Sequence, residues 1–433
     1  IAMSATSIYN LVDALWVSGL GADALAAVGF FFPFFFGAMS IAVGLGTGGG
    51  AAVSRRIGAN DKEGVDNVAL HTIIFMVILA CIFTVPLYIF SPQIFGGIGA
   101  GRTTDMAVAY GRVMFAGTIF IFFMYVGTSL LRGEGDAKRS MYALMLGSVV
   151  NIVLDPIFIY ILGLGVAGAA WATVLSMAVT SVLLFYWLFI RKDTYISLGS
   201  IRFKYNRDIT KDIARVAVPS ALLQASMAIT MLITIILIVP VGATDGVAVY
   251  TVGWRVSMIA ILPLLGIATA VVSVTGAAYG AKEYDKLKLS HRYSVKVGAI
   301  IETVIALLTI AFAAQITAAF TQAEDTARIA DDLVDYFRIM ALFYPGVAWG
   351  MMSSSLFQGT GKGLNALTVT VVRTLVLTLP LIFIFAFILD FGLVGVWLGI
   401  VCGNLTGSFI AYGWATKYLK GLMVIHGNGR KIG

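Results

Sequence analysis

Apolar runs separated by short polar loops fill this chain, and about twelve of them can be counted. The first, Ile1 to Val17, falls slightly short of the roughly 20 residues a helix needs to cross a bilayer. It reads as a span missing its first turns. The chain opens on Ile1 without a methionine or a cleavable signal pattern, so the expectation is that residues precede it. The remaining runs extend approximately over Ala24 to Arg55, Val68 to Phe90, Met106 to Leu131, Tyr142 to Leu162, Gly168 to Ile190, Ile213 to Val239, Val247 to Tyr279, Tyr293 to Phe320, Ile329 to Phe357, Leu364 to Leu389 and Val394 to Tyr418. Several exceed the minimum, which predicts tilt or projecting ends. The expected class is an all-α polytopic membrane protein with twelve transmembrane helices.

Charge in the loops alternates. One set carries Arg55, Arg56 and Lys62; Arg132, Lys138 and Arg139; a cluster from Arg191 to Lys211; Lys282, Lys286, Lys288 and Arg292; Lys362; and Lys417, Lys420, Arg430 and Lys431. The intervening loops are nearly bare, with Arg102 and Arg328 the exceptions. Lys and Arg accumulate in cytoplasmic loops. Both termini are therefore expected inside the cell, in a multi-pass plasma-membrane protein with an even number of spans. This pattern supports the span count without using hydropathy.

Composition acts mainly by exclusion. Of 433 residues, 59% are hydrophobic and 12% charged, with a mean hydropathy of +0.94, whereas soluble domains carry about a quarter charged residues. The net charge of +7 is spread over short loops and is not gathered into a patch for nucleic acid. Cys81 and Cys402 lie in apolar runs and offer neither a disulfide framework nor a metal site. Gly46-Thr-Gly-Gly-Gly50 sits inside a span, where small residues let helices approach. Gly359-Thr-Gly361-Lys362-Gly363 lacks the spacing and preceding strand of a phosphate loop. With no nucleophile and base constellation, neither enzymatic activity nor a cofactor is expected, and the energy for transport would come from an ion gradient.

The longest polar interruption, Arg191 to Lys211, divides six spans from six. The expected organisation is an N-terminal six-helix lobe over 1–192 with a truncated first helix, a cytoplasmic linker over 193–211, a C-terminal six-helix lobe over 212–420 and a tail over 421–433. The halves echo each other. Leu131-Arg-Gly133-Glu-Gly135 recurs as Phe357-Gln-Gly359-Thr-Gly361, and Leu164-Gly165-Val-Ala-Gly168 recurs as Phe391-Gly392-Leu-Val-Gly395. A third echo pairs Gly50-Ala-Ala-Val with Gly276-Ala-Ala-Tyr. Repeats with an even number of spans share one orientation, so the two six-helix lobes are expected to be pseudo-symmetric about an axis along the membrane normal.

One stretch breaks that symmetry. Asn151-Ile-Val-Leu-Asp155-Pro156 places an amide and a carboxylate one helical turn apart on one face of an apolar span. A carboxylate at membrane depth is costly and marks an ion or proton route, while Pro156 predicts a bend beside it. The second half keeps the proline in Leu379-Pro380 but not the acid. A carboxylate needed only for the kink would occur in both copies, so function is the favoured reading over structural capping.

Asp13, one turn after Tyr9, is a second intramembrane acid. At 1.5 Å per residue, Asp13 lies about 9 Å, Asp155 about 12 Å and Thr173 about 8 Å from the outer ends of their spans. Tyr110 falls at comparable depth, so topology gathers Tyr9, Asp13, Tyr110, Asn151, Asp155 and Thr173 into one outer-half layer. Helix rotation stays open. These hard oxygen donors suit a proton or a small cation such as sodium, and do not suit zinc or copper. Arg112, Arg255, Glu302, Arg338 and Arg373 are the other intramembrane charges. A structural ion pair between Glu302 and Arg373, both about halfway along their spans, is the expectation, with Arg255 another partner for Glu302. Aromatic and Met side chains, including Phe30 to Phe36, suit either core packing, lipid contact or a plastic binding pocket.

Tyr9-Asn-Leu-Val-Asp13, Gly19-Leu-Gly21-Ala-Asp-Ala-Leu-Ala-Ala27, Leu131-Arg-Gly-Glu-Gly-Asp136 and Asn151-Ile-Val-Leu-Asp155-Pro156 together resemble the multidrug and toxic compound extrusion (MATE) transporters, particularly an archaeal and bacterial branch coupled to protons or sodium. The resemblance covers nearly the whole chain. It implies two six-helix lobes forming a V and alternating access, with bulky, often cationic, small organic molecules leaving as ions enter. It also implies that Asp13, Asn151, Asp155 and Thr173 serve the ion site and that Tyr9 and Tyr110 surround it. The expected partners are small organic substrates and the lipid bilayer, with no nucleic acid, and the chain is expected to work as a monomer. The alternative is a lipid-linked oligosaccharide flippase using Arg255, Arg338 and Arg373 for pyrophosphate; a channel is a further one.

Overall fold

The computed structural model describes residues 16–17, 19–20, 22–97, 100–191, 193–197, 203–321 and 328–427. Tyr9 and Asp13 lie outside them. All regular structure among these residues is helical. Contacts divide the chain into two compact units, Ile1–Ala221 and Leu222–Gly433. Among the described residues nine helices are long and apolar enough to cross a membrane, and a bent pair makes a tenth.

The N-terminal unit contains α1 (Ala22–Gly58), α2 (Lys62–Ile89), α3 (Ser91–Gly97), α4 (Thr104–Ala116), α5 (Thr118–Glu134), α6 (Ala137–Pro156) and α7 (Gly165–Phe185), with the start of α8 (Arg207–Ala243). Helix α1 begins with Asp23 and ends with Arg55 and Arg56, matching the helix dipole at both ends. Asp61 caps α2, its Oδ1 accepting the Gly64 N–H at 2.9 Å while Oδ2 pairs with Arg56 at 2.7 Å. The Arg56 hydrogen bond, aided by that backbone donor, holds the Asp61 carboxyl below the usual carboxylate range. Helices α4 and α5 form the bent pair, at 45°. The break is at Gly117, where Val174 of α7 presses on the bare backbone.

Because lipid tails are as apolar as leucine, close van der Waals contact and not apolar burial must hold such helices together. The glycine run of α1 supplies that contact on three sides. A Cβ on Gly44 or Gly48 would stand 2.7 Å from a carbonyl oxygen of α8, at Ala217 and Ile213 respectively; on Gly50, 2.7 Å from Ser129 O of α5; on Gly49, 2.6 Å from Thr72 Oγ1 of α2. Ser40 Oγ donates to Ala221 O at 2.7 Å, and Arg55 pairs with Asp212 at 2.7 Å. These contacts are why the first turns of α8 belong to the N-terminal unit.

The segment before α8 is held by side chains. Glu134 Oε2 accepts the Ile196 N–H at 2.9 Å, and Asp66 Oδ1 accepts that of Ser197 at 2.7 Å. Buried His71 donates from Nδ1 to Asn67 O and accepts the Asn206 N–H on Nε2 at 3.0 Å.

The C-terminal unit contains the rest of α8, then α9 (Asp245–Gly280), α10 (Tyr284–Ala311), α11 (Ala313–Phe320), α12 (Ala330–Met340), α13 (Tyr344–Gly359), α14 (Gly363–Val371), α15 (Thr378–Phe383) and α16 (Gly392–Gly427). Helices α8 and α9 part at Ala243, which has φ 46° and ψ −146°. The predicted span Ile329 to Phe357 is broken into α12, a 3-10 turn and α13. Pro345 sits in the first turn of α13, the position where its missing N–H costs nothing.

The repeats carry structure. Gly135 and Gly361 end α5 and α13 with φ of 99° and 78°, a left-handed conformation that favours glycine. A Cβ on Gly133 would stand 2.6 Å from Gly50 O, and one on Gly359 2.6 Å from Val272 O. Gly276 N also lies 3.1 Å from that Gly359 Cβ, so both members of the Gly50 and Gly276 echo face the glycine of the other repeat in their own unit. Gly168 and Gly395 each lie against a carbonyl, that of Phe158 or Phe385. Even the two exceptional arginines correspond: Arg102 pairs with Asp23 at 2.7 Å and Arg328 with Asp245 at 2.9 Å. In each unit the acid opens a long helix and neutralises the charge on the bare-loop side.

Candidate ion site

The symmetry breaks at α6. Asp136 caps this helix by accepting the Arg139 N–H at 3.0 Å, which fixes its start. At the other end Pro156 has no N–H to donate, and the helix widens into a π turn, Ile157–Ile161. Helix α7 is drawn close on both sides of this bend. Gly168 of α7 lies against the Phe158 carbonyl, and Gly147 of α6 leaves room for Thr180 of α7.

Asn151, Asp155 and Thr173 meet between these two glycine contacts. Asn151 Nδ2 donates to Asp155 Oδ1 at 3.3 Å and to Thr173 Oγ1 at 3.5 Å. Asp155 is fully buried and Asn151 is 1% exposed. Asn151 Oδ1 has no hydrogen-bond partner among the described residues. The cluster therefore offers a carboxylate, an amide oxygen and a hydroxyl at one buried point. No group of three or more His, Cys, Asp or Glu occurs among the described residues, and the donors here are hard oxygens of the kind that hold protons or alkali ions.

Tyr110 of α4 is buried in the cluster that includes Ala169, Ala170 and Val174 of α7. Its ring stands edge-on to Phe31 of α1 at 5.3 Å. Of the Phe30 to Phe36 run, Phe31 and Phe34 pack onto Phe115, with Phe34 also on Phe95, whereas Phe32 and Phe36 are exposed. One contact was not foreseen. Tyr160, in the π turn after Pro156, donates to Trp16 O at 2.6 Å, and the two rings meet edge-on at 6.0 Å. The signal for it was an aromatic residue one turn beyond a proline, too common to single out.

The expected ion pair of the second half does not form. Glu302 is fully buried on α10, and neither carboxylate oxygen has a hydrogen-bond partner among the described residues. Arg373 instead lies against α13 at Gly350, where a Cβ would stand 2.6 Å from its Nη1. Glu302 interacts electrostatically with Tyr344, six residues earlier on α13 and so roughly 9 Å away along the axis. Arg255 is exposed and gives Glu302 no partner either.

An all-helical polytopic chain in two units, with a buried oxygen cluster inside a span, has the build of a membrane transporter. The chain belongs to the MatE family, whose family model matches residues 1–157 and 219–384, once in each half. It is a transporter family and not an enzyme family. The chain is similar to the probable multidrug resistance protein YoeA of Bacillus subtilis, at 27% identity over 406 residues, 91% of this chain and 86% of YoeA. A solved MATE structure in complex with MaL6 matches with a TM-score of 0.94 at 45% identity, covering 97% of this chain and 94% of that one. A MOP superfamily transporter from Pyrococcus furiosus, described by a reverse polarity of its binding pocket that suggests a different function, matches with a TM-score of 0.93 at 45% identity, covering 97% and 93%.

Proposed function

We propose that this chain is a secondary active antiporter that exports bulky, often cationic, small organic molecules in exchange for protons or sodium ions. The observation that carries the reading is Asp155, fully buried within a span beside Asn151 and Thr173. An acid at that depth marks an ion or proton route, and Asn151 and Thr173 set hard oxygen and amide groups beside the carboxylate where a solvent-derived cation would bind.

In this mechanism Asp13 and Asp155 bind the ion from outside. Neutralisation removes their mutual repulsion and lets the first span bend towards α6 and α7, shrinking the drug cavity. Support comes from Trp16, whose carbonyl is held by Tyr160 just past the Pro156 bend. Tyr9 and Tyr110 border the site, and Pro156 sets the bend. The ion drives transport only through its different affinity for the two conformations.

The same reading puts both termini in the cytoplasm, treats 1–192 and 212–420 as six-helix lobes joined by 193–211, and takes the monomer as the working unit. The names of multidrug relatives support the substrate class. The flippase reading gains nothing, since Arg373 is buried against α13 while Arg255 and Arg338 are exposed. Cationic dye efflux from proteoliposomes under separately imposed proton and sodium gradients tests the proposal. One gradient should drive efflux in the wild type and fail to do so in Asp155→Asn; undiminished coupling in that variant would remove Asp155 from the mechanism.

A further inference from the structure

At the basic-loop end of the C-terminal unit, α10 and α16 enclose a cavity of about 290 Å³. Lys288 and Arg292 of α10 and Lys420 of α16 line it, together with Leu419, Met423 and the stacked pair His291 and Tyr412. No carboxylate is among the lining residues. None of the three cations takes part in an ion pair or hydrogen bond among the described residues. In the N-terminal unit, by contrast, four basic residues of the same set of loops are paired with acids: Arg55 with Asp212, Arg56 with Asp61, Lys62 with Asp66 and Arg139 with Asp193.

Three uncompensated positive charges around one cavity call for a ligand with several anionic oxygens. The surroundings say which kind. Both helices are of membrane-spanning length and composition, and the cavity sits near their ends. From its rim an exposed stripe runs along α10 through Leu289, Tyr293, Lys296, Ile300, Val304 and Leu307, apolar apart from Lys296 and spaced to lie on one helical face. A tyrosine at that level suits the membrane interface, and the stripe beyond it suits an acyl chain. A free phosphate would use the cations and leave the stripe idle.

We propose that this cavity binds the phosphate headgroup of an anionic phospholipid from the leaflet that meets the basic loops. Basic pockets between membrane helices recognise such headgroups, each nearby cation strengthening binding about fivefold. The bound lipid would brace two helices, and through the His291 contact with Ser353, at 3.2 Å, also α13.

Native mass spectrometry of the full chain in nonionic detergent, titrated separately with phosphatidylglycerol, phosphatidylcholine and inorganic phosphate, tests this. The wild type should retain phosphatidylglycerol in preference to phosphatidylcholine. Lys288→Gln/Arg292→Gln/Lys420→Gln should weaken that retention by about a hundredfold, three charges at about fivefold each. A variant of equal charge loss outside the cavity, Lys282→Gln/Lys286→Gln/Lys417→Gln, should bind as the wild type does. If the triple cavity variant does not fold, Lys420→Gln alone should show the fivefold loss and Lys420→Arg should restore binding. Equal retention by cavity and wild-type proteins, or equal loss in the outside control, would overturn the site. Displacement of the lipid by inorganic phosphate at similar concentration would overturn the lipid assignment.

Discussion

In the N-terminal unit the buried acid Asp155 stands one turn from an amide and across from a hydroxyl; in the C-terminal unit the buried acid Glu302 accepts no hydrogen bond on either oxygen among the described residues. The two acids do not occupy equivalent places. Pro156 has its counterpart in Pro380, but Leu379, packed on the apolar core, replaces Asp155. An ionised carboxylate with no donor and no cation is very costly in an apolar interior, and no described residue gives Glu302 a hydrogen bond. One framework is thus repeated, and only one copy sets an amide and a hydroxyl beside its buried acid among the described residues.

The sharpest way to break this comparison is a pair of isosteric substitutions. Asp155→Asn should abolish gradient-driven efflux in proteoliposomes, the largest effect expected. Glu302→Gln keeps the side chain's shape and should leave coupled efflux within about twofold, since no hydrogen-bond partner among the described residues is lost. Loss of coupling in Glu302→Gln with its retention in Asp155→Asn would exchange the roles of the two units.

How far this asymmetry was legible depends on what fixes each contact. Spacing along one helix put Asn151 and Asp155 on a shared face, and loop topology put Thr173 at their depth, so the α6 and α7 cluster could be anticipated. The Glu302 and Arg373 pairing could not be judged the same way. Depth is readable from hydropathy, but the rotation of α10 and the six-residue offset along α13 are set by packing at Gly298 and Gly350. The third glycine echo was legible from spelling alone: Gly50 lies against Gly133 and Gly276 against Gly359. The all-helical membrane class was readable because polar loops and charge alternation agree, although the break at Pro345 was not anticipated.

The framework itself should respond equally in the two units. Gly133→Ala drives a methyl into the Gly50 carbonyl, and Gly359→Ala drives one into the Val272 carbonyl. Backbone cannot swing aside as a long side chain can, so each should cost about 1–3 kcal/mol. Thermal unfolding of the purified variants in detergent measures this. A large loss for one and none for the other would mean that the repeated glycines are a sequence echo without shared packing.

A smaller contrast lies at two helix starts. Asp61 caps α2 and pairs with Arg56, whereas Glu283 before α10 makes no side-chain cap and, among the described residues, pairs only with Lys286 at 2.8 Å. Losing a cap typically costs about 1 kcal/mol, while an exposed ion pair contributes about 0–1 kcal/mol. Asp61→Ala should therefore destabilise more than Glu283→Ala. The sign of the pH dependence follows from the lowered Asp61 carboxyl. A depressed acid contributes its full stabilisation above the unfolded carboxylate value near 3.9 and loses it as pH falls through the lower folded value. The gap in unfolding temperature between wild type and Asp61→Ala should be constant at neutral pH and close in strong acid. A gap that instead widened on acidification would show that the Arg56 contact does not stabilise the charged form.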